Sequence, residues 1–191
     1  RLIQRDYKNK KNKEDYYSQI AEEEETEGNN LNHNSEQDSA RPEYKTNMGR
    51  IVYGGGGITP DYIIKLGSLT SYTQNLLRKN SFYTFILSYL DKNGESIKKK
   101  FKDDLVLFEK EFEISDTMLK SFNDYAKSKD VNFNQEEYEK DKDYITARLK
   151  AQIARNYWKN EGWYSVLLKT DEQFLKSKTL FGEANNLAKL K

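Results

Sequence analysis

The stretch NQEEYEKDKDYITARLKAQIARNYWK, residues 134–159, carries the clearest periodic pattern in the chain. Its apolar side chains recur at spacings of seven, four, four and four residues, which places five of them on one helical face: Tyr138, Ile145, Leu149, Ile153 and Tyr157. The pattern predicts one long amphipathic helix, which Gly162 is expected to interrupt. Because an apolar helix face must be covered by other elements, this stretch favours a mainly α fold.

Two shorter helices are predicted ahead of it. Ser68 or Thr70 is expected to cap a first helix, whose apolar members are Leu69, Tyr72, Leu76 and Leu77. A second helix is predicted from about Ser81 to Leu90, with the pair Asn93–Gly94 as its stop signal. The period of residues 101–112 does not distinguish a helix from a strand.

Further helices are predicted on either side of the long one. Ser115 or Asp116 is expected to cap a helix that precedes it. A last helix is predicted from Trp163 to the C-terminus, with its inward face formed by Leu167, Phe174, Phe181, Ala184 and Ala188. Asp171 would be either an N-terminal cap or a buried group with a partner. Capping is favoured, because Lys169 to Asp171 can mark a break between two helices.

The N-terminal part has a different composition. Residues 1–7, RLIQRDY, are compatible with a short strand, whereas residues 8–45 have almost no hydrophobic periodicity. Such a polar stretch buries too little apolar surface to offset the entropy of ordering its backbone, which indicates a surface insertion rather than a partner-binding patch. A turn near residues 47–49 and a strand at Arg50–Tyr53 are predicted next, followed by a glycine turn at 54–57. The expected organisation is a small β-containing part, residues 1–66, before an all-helical domain, residues 67–191.

Composition excludes several classes of function. Lys and Arg total 32 and Asp and Glu total 31, so the net charge of +1 provides no global field for nucleic acid. The chain contains no cysteine, which excludes disulfides and thiolate chemistry. The densest apolar run, Phe82 to Leu90, is too short to span a bilayer. A mean hydropathy of -1.00 together with 13% aromatic residues predicts a modest core in which Tyr and Phe supply much of the buried area.

Four consecutive glycines, Gly54 to Gly57, form the sharpest local feature. Backbone N–H groups in such a run can cradle a phosphate, but Ile58-Thr59-Pro60 follows where a P-loop requires Gly-Lys-Ser/Thr. A tight turn at the exit of a strand is the favoured interpretation.

The sequence contains no recognisable catalytic or metal-binding constellation. The only histidine, His33, lies in the polar insertion, where no neighbour would orient an imidazole as a general base. The acidic run Glu22 to Glu25 lacks the spacing of a calcium loop, so no metal and no cofactor is expected. The aromatic cluster Tyr157, Trp158, Trp163 and Tyr164 could form a stacking platform, but core packing is the favoured interpretation.

Together with its flanks, the glycine run resembles a family signature. The segment GRIVYGGGGITPD, residues 49–61, is similar to the pattern GR-x-V-x-GGGGI-x-PD of the carboxy-terminal processing (tail-specific) peptidases. It matches at Gly49, Arg50, Val52, Gly54, Gly55, Gly56, Gly57, Ile58, Pro60 and Asp61. The opening residues 1–7 resemble the continuation of that family's YYTPSGR strand, and residues 149–171 resemble the helical tail of its bacterial members.

The resemblance implies a serine endopeptidase that cleaves proteins near their C-termini with a Ser–Lys dyad. In the family's order the PDZ domain, the serine and the lysine all precede this segment, so no catalytic residue is expected in this chain. Residues 1–66 would then be the end of the protease core, and the helical domain would support it, mediate oligomerisation, or contact a substrate or adaptor. A periplasmic or cell-envelope location and a protein or peptide substrate follow from the resemblance. The alternative is a helical protein–protein interaction module with no protease role.

Overall fold

The computed structural model describes residues 67–101 and 104–188 of the helical part, with the backbone alone at 187 and 188. Ahead of them it describes residues 14, 17, 18, 42–47, 49, 51–54, 62 and 64. The chain divides into two compact units, Arg1–Lys65 and Leu66–Lys191. Within the described residues the fold is mainly helical with a small antiparallel sheet ahead of the helices, which confirms the predicted fold class.

The first unit contains a hairpin of two short strands. Strand β1, Glu43–Lys45, pairs antiparallel with strand β2, Ile51–Tyr53. The turn between them includes Gly49, whose φ of +79° lies in the left-handed region that glycine tolerates best. Its amide donates to the Thr46 carbonyl at 2.9 Å. The predicted turn near residues 47–49 is therefore confirmed. The predicted strand after it is described from Ile51 to Tyr53, and its first residue, Arg50, lies outside the described residues.

Seven helices follow in the described part of residues 67–188. They are α1 Ser71–Arg78, α2 Ser81–Phe101, α3 Leu105–Glu111, α4 Asp116–Ser128, α5 Gln135–Leu167, α6 Glu172–Thr179 and α7 Phe181–Ala188. Helices α1, α2 and α3 all pack against α5, and α2 also contacts α1, α3 and α4. Helix α5, which contains the stretch with the clearest periodicity, is therefore the centre of the helical unit.

Aromatic rings fill much of the core. Phe108, fully buried, stacks on Phe112 with ring centroids 4.7 Å apart and contacts the Trp158 ring at 5.1 Å. Phe101 meets Phe108 edge to face at 5.3 Å. Buried aliphatic side chains of α5 complete the packing, among them Ile145, Leu149 and Ile153. The periodic face predicted from the sequence is the face that packs inward.

The N-terminus of α1 is held by two carboxylates of α5. Thr70 is the N-cap, and both its amide and its hydroxyl donate to Asp141 Oδ2, at 2.8 and 2.7 Å. One turn earlier on α5, the Glu137 carboxylate accepts the Tyr72 amide. Because the first amides of a helix lack intrahelical partners and carry the positive end of its dipole, paired carboxylates stabilise this end of α1.

Asp141 is 7% exposed and its ionisation is coupled to this cap. Burial by itself raises the pKa of Asp141, but hydrogen bonds from the Thr73 hydroxyl and from the Thr70 hydroxyl and amide lower that pKa below its ordinary value. A carboxylate whose pKa is lower in the folded than in the unfolded chain stabilises the fold above its unfolded pKa, about 4. That contribution is lost as the pH falls through the lowered pKa.

We expect Asp141→Asn to reduce the free energy of unfolding by about 2 kcal/mol at pH 7, because the cap loses its charge and one acceptor. The deficit should be constant between pH 7 and 5 and should shrink below about pH 4, where the wild-type carboxylate also becomes protonated. Urea unfolding at pH 7, 5 and 3 measures it. Asp143→Asn, at an exposed site on the same helix, is the control; an equal deficit in both variants would contradict the cap.

Helix α2 continues past its predicted end. The pair Asn93–Gly94 was predicted to stop it after Leu90, and that prediction is wrong: the helix runs to Phe101. Gly94 lies where α2 approaches α5, and the Tyr157 hydroxyl donates to the Gly94 carbonyl at 2.9 Å. A Cβ atom at residue 94 would lie 3.3 Å from the Tyr157 oxygen. The glycine thus permits a close helix–helix contact rather than ending the helix.

The interruption of α5 lies three residues before the predicted one. Lys159 adopts φ 56° and ψ -137°, a conformation rare for a residue with a side chain, and the chain turns back there before α5 resumes. Gly162 serves a different purpose. A Cβ atom at this position would lie 2.6 Å from the Ala154 carbonyl oxygen, so only glycine fits where the returning segment meets the helix.

The predicted single C-terminal helix is divided. Asp171 Oδ1 accepts the Phe174 amide at 2.8 Å, which confirms the capping role and the break before α6. The predicted inward face is wrong at three positions, since Phe174 is 37% exposed, Phe181 is 71% exposed and Ala184 is also exposed. No residue of α6 is buried. Apolar spacing predicted the helices here but not their burial, because no other described helix covers that face.

Candidate functional site

The site residues suggested by the family signature are described only in part. Gly49 forms the hairpin turn, and Gly54, which is buried, donates its amide to the Pro42 carbonyl at 3.0 Å. Those outside the described residues are Arg50, Gly55, Gly56, Gly57, Pro60 and Asp61. At the two described positions, Gly49 and Gly54, the glycine amides form backbone hydrogen bonds of the hairpin. A role for the other signature residues remains a prediction.

A groove of about 380 Å³ lies between α4 and the start of α5. Its lining comes from one face of α4, from the loop that follows, and from the first turn of α5: Asp116, Leu119, Lys120, Asn123, Asp124, Lys127, Phe133, Gln135 and Tyr138. Helix α4 is positioned by its Ser115 cap, whose hydroxyl accepts the Met118 amide at 3.2 Å. We refer to this feature as the α4–α5 groove.

The floor of the α4–α5 groove is apolar and aromatic. The ring of Phe133 is 41% exposed and meets the rings of Tyr72 and Tyr138, each at 5.5 Å between centroids. The Tyr72 hydroxyl donates to Asn123 Oδ1 at 2.9 Å, which fixes the amide that faces the groove. The groove can therefore receive an apolar side chain against a rigid aromatic surface.

The rim of the groove alternates in charge. Acidic and basic side chains alternate along one face of α4, in the order Asp116, Lys120, Asp124 and Lys127. Lys120 and Asp124 form an exposed ion pair at 3.3 Å, which contributes little stability and can exchange for an outside partner. Such a rim favours a partner segment of mixed charge over a polyanion.

The tyrosines beneath the groove are unsuited to proton transfer. Burial raises the pKa of Tyr72 well above its ordinary range, and the charge of Tyr138 raises it further. Burial also raises the pKa of Tyr138 itself, although Lys142 and the hydrogen bond to Asn123 oppose the shift. Both phenols therefore keep their protons at neutral pH.

Lys150 is a lysine with a lowered pKa, the property a Ser–Lys dyad requires of its base. Burial lowers the pKa of Lys150 and the nearby charge of Lys169 lowers it further. Its Nζ donates to the Glu109 backbone carbonyl at 2.7 Å, and Lys169 pairs with the Glu109 carboxylate at 2.6 Å. Among the described residues no hydrogen bond joins Lys150 to a serine hydroxyl, and the bonds of Lys150 and Lys169 to Glu109 join α3 to α5 and the residues that follow it.

The aromatic cluster near the kink is only partly core. Tyr157 and Trp158 pack against the buried residues as predicted, and Trp163 is half-buried. Tyr164 is 56% exposed, so the core interpretation is wrong there. The kink at Lys159 turns the ring away from the helix face on which uninterrupted spacing would place it.

Two kinds of feature are absent from the part of the chain that is described. Across those residues no group of three or more His, Asp or Glu side chains is arranged to hold a metal ion. No described helix is both long enough and apolar enough to cross a membrane. His33 and the acidic run Glu22 to Glu25 lie outside the described residues.

Comparison with known proteins gives one match. The model of a family of unknown function (DUF8443) matches residues 72–159, from the second residue of α1 to the kink of α5. No curated protein and no solved structure gave a significant match. The matched residues include those that line the α4–α5 groove. They exclude the hairpin and the part of α5 that follows the kink at Lys159.

Sequence reasoning missed the groove because its residues do not form a motif. Phe133 was the one residue that could have indicated the groove, since it is an apolar residue between Asn132 and Asn134 in a loop, outside any helical period. An aromatic residue at such a position either packs under the loop or remains exposed, and spacing alone does not distinguish the two.

Proposed function

We propose that this chain is the C-terminal region of a carboxy-terminal processing serine endopeptidase, and that its helical unit is non-catalytic. The observation that carries the proposal is the segment of residues 49–61, which agrees with the family pattern at ten positions, including all four consecutive glycines. Glycine runs are common in loops, but this run is flanked on both sides by the residue types that the pattern requires.

Two structural features support the proposal. Strand β2 lies inside the signature segment and is already paired in a hairpin, as expected of a segment that ends a sheet. The compact helical unit begins at Leu66, five residues after the signature ends at Asp61, in agreement with a domain appended to a protease core. The α4–α5 groove offers that appended domain a surface for contact with a substrate or adaptor.

The test uses the full-length product of the gene that encodes this chain. We expect it to degrade a reporter protein with an unstructured C-terminal tail, and to lose that activity when the serine at the family's nucleophile position is replaced by alanine. Removal of residues 66–191 should leave the hydrolysis of a short peptide within a few-fold while impairing degradation of the reporter. Upstream sequence without a PDZ-like region, a serine and a lysine in the family's order would disprove the proposal.

The second candidate is a helical protein–protein interaction module with no protease role. It is favoured by the match to the family of unknown function, which lies wholly within the helical unit and excludes the signature. In the same assay this candidate predicts no degradation by the full-length protein, with or without the serine replacement. Degradation of the reporter by the full-length protein therefore distinguishes the two candidates.

A further inference from the structure

Two arginines on α5 lie against a single indole. Arg148 and Arg155 are seven residues apart, so they project from the same side of the helix at a separation of about 10 Å along its axis. Trp163 belongs to the segment that turns back after Lys159. Its ring centroid lies 5.1 Å from Arg148 Cζ and 5.3 Å from Arg155 Cζ.

One unusual backbone conformation and one close backbone contact produce this arrangement. The turn at Lys159 places a non-glycine residue at positive φ, and Gly162 allows the returning segment to touch the Ala154 carbonyl. Conformations of this kind persist only where the surroundings enforce them, and they concentrate at functional sites. Their result is that Trp163 lies over both guanidinium groups.

The two arginines are held without a carboxylate. Arg148 Nη1 donates to the Tyr144 hydroxyl at 3.0 Å, and its Cζ lies 5.7 Å from the rings of both Phe82 and Tyr144. Neither arginine forms an ion pair with any described residue. A guanidinium group has five N–H donors in a planar fork that matches a carboxylate, and among the described residues only the Tyr144 hydroxyl accepts from these donors.

We propose that Arg148, Arg155 and Trp163 form a binding site for an acidic peptide segment of another protein. Two carboxylates spaced along an extended peptide would each meet one guanidinium, and an apolar side chain between them would contact Trp163 and the exposed ring of Tyr164. This inference is independent of the protease assignment, since it rests only on the helical unit.

The surrounding charges favour a peptide over a nucleic acid. Between the exposed acidic residues Asp143 and Glu161 the chain carries only four basic residues, Arg148, Lys150, Arg155 and Lys159, and Lys150 Nζ is already bound to the Glu109 carbonyl. A nucleic acid would need a longer basic stripe along its phosphates, and the net charge of the chain is only +1.

Trp163 provides the readout. The chain has two tryptophans, so Trp158→Phe leaves Trp163 as the sole indole fluorophore. This 191-residue variant would be titrated with an acetylated octapeptide of alternating glutamate and alanine, with its glutamine analogue, and with a single-stranded thymidine 12-mer. We expect saturable quenching by the glutamate peptide, weakened by salt, and none by the glutamine analogue.

Arg155→Gln in this background should raise the Kd for the glutamate peptide at least tenfold, and Arg155→Lys should give a smaller rise because the charge remains and the planar fork is lost. Lys98→Gln removes one exposed positive charge from α2 and should change the Kd less than twofold. Arg155 is exposed, so the thermal midpoint should not change. Absence of quenching, an equal effect of Lys98→Gln, or tighter binding of the 12-mer would overturn the proposal.

Discussion

Gly162→Ala is expected to destabilise the helical unit by about 3 kcal/mol, a large effect for a single added methyl group. The new Cβ atom would lie 2.6 Å from the Ala154 carbonyl oxygen and 2.9 Å from its carbon, and backbone atoms of a buried helix cannot move aside as a flexible side chain can. The part of α5 after Lys159 would have to move away from the part before it. Urea unfolding followed by circular dichroism measures the loss.

Two other glycines provide graded controls. Gly182→Ala should not destabilise the protein, because a Cβ atom at residue 182 meets nothing within 4 Å and alanine has the higher helix propensity. Gly94→Ala brings a Cβ atom to 3.3 Å from the end of the Tyr157 side chain, and a gain in helix propensity of about 1 kcal/mol offsets this strain. If all three variants unfolded at the same urea concentration, the close approach at Gly162 would not be essential to the fold.

Phe108→Ala should have the largest effect in the core, a loss of about 3–5 kcal/mol in the free energy of unfolding. The ring of Phe108 is fully buried and contacts the rings of Phe101 on α2, Trp158 on α5 and Phe112 just after α3, so its removal opens a cavity among them. The urea midpoint and the near-ultraviolet signal of the tryptophans would report the change.

Val106→Ala is the matched control for that variant, since it lies on the same helix and is 75% exposed. Its free energy of unfolding should stay within about 0.5 kcal/mol of the wild-type value. A comparable loss in both variants would show that α3 contributes through its helical backbone rather than through the buried ring.

Local sequence signals predicted the elements of this fold more accurately than their junctions. The face of α5 that carries Ile145, Leu149 and Ile153 was correct, because period and burial agree wherever other helices cover an apolar face. Asp171 was favoured as a cap, and Ser115 was one of two candidates with Asp116, because a side-chain acceptor before a helix acts within three residues.

Positions determined by distant contacts were not predictable in this way. Gly94 was interpreted as a stop, but its role depends on Tyr157, 63 residues further along the chain. The exposure of Phe181 and Tyr164 depends on which helices cover them, and apolar spacing does not contain that information. The arginine pair was missed for the same reason, because the turn at Lys159 brings Trp163 onto it.

The carboxylates that hold the start of α1 have a consequence for the order of folding. Helix α1 has eight residues, too few to be stable alone in water, and its end is satisfied by groups 65 and 71 residues away. A chain emerging from the ribosome would therefore contain the sequence of α1 long before it contained Glu137 and Asp141. We expect α1 to become stable only after α5 has been synthesised and has folded back, so that the first described helix of the helical unit is among the last to form.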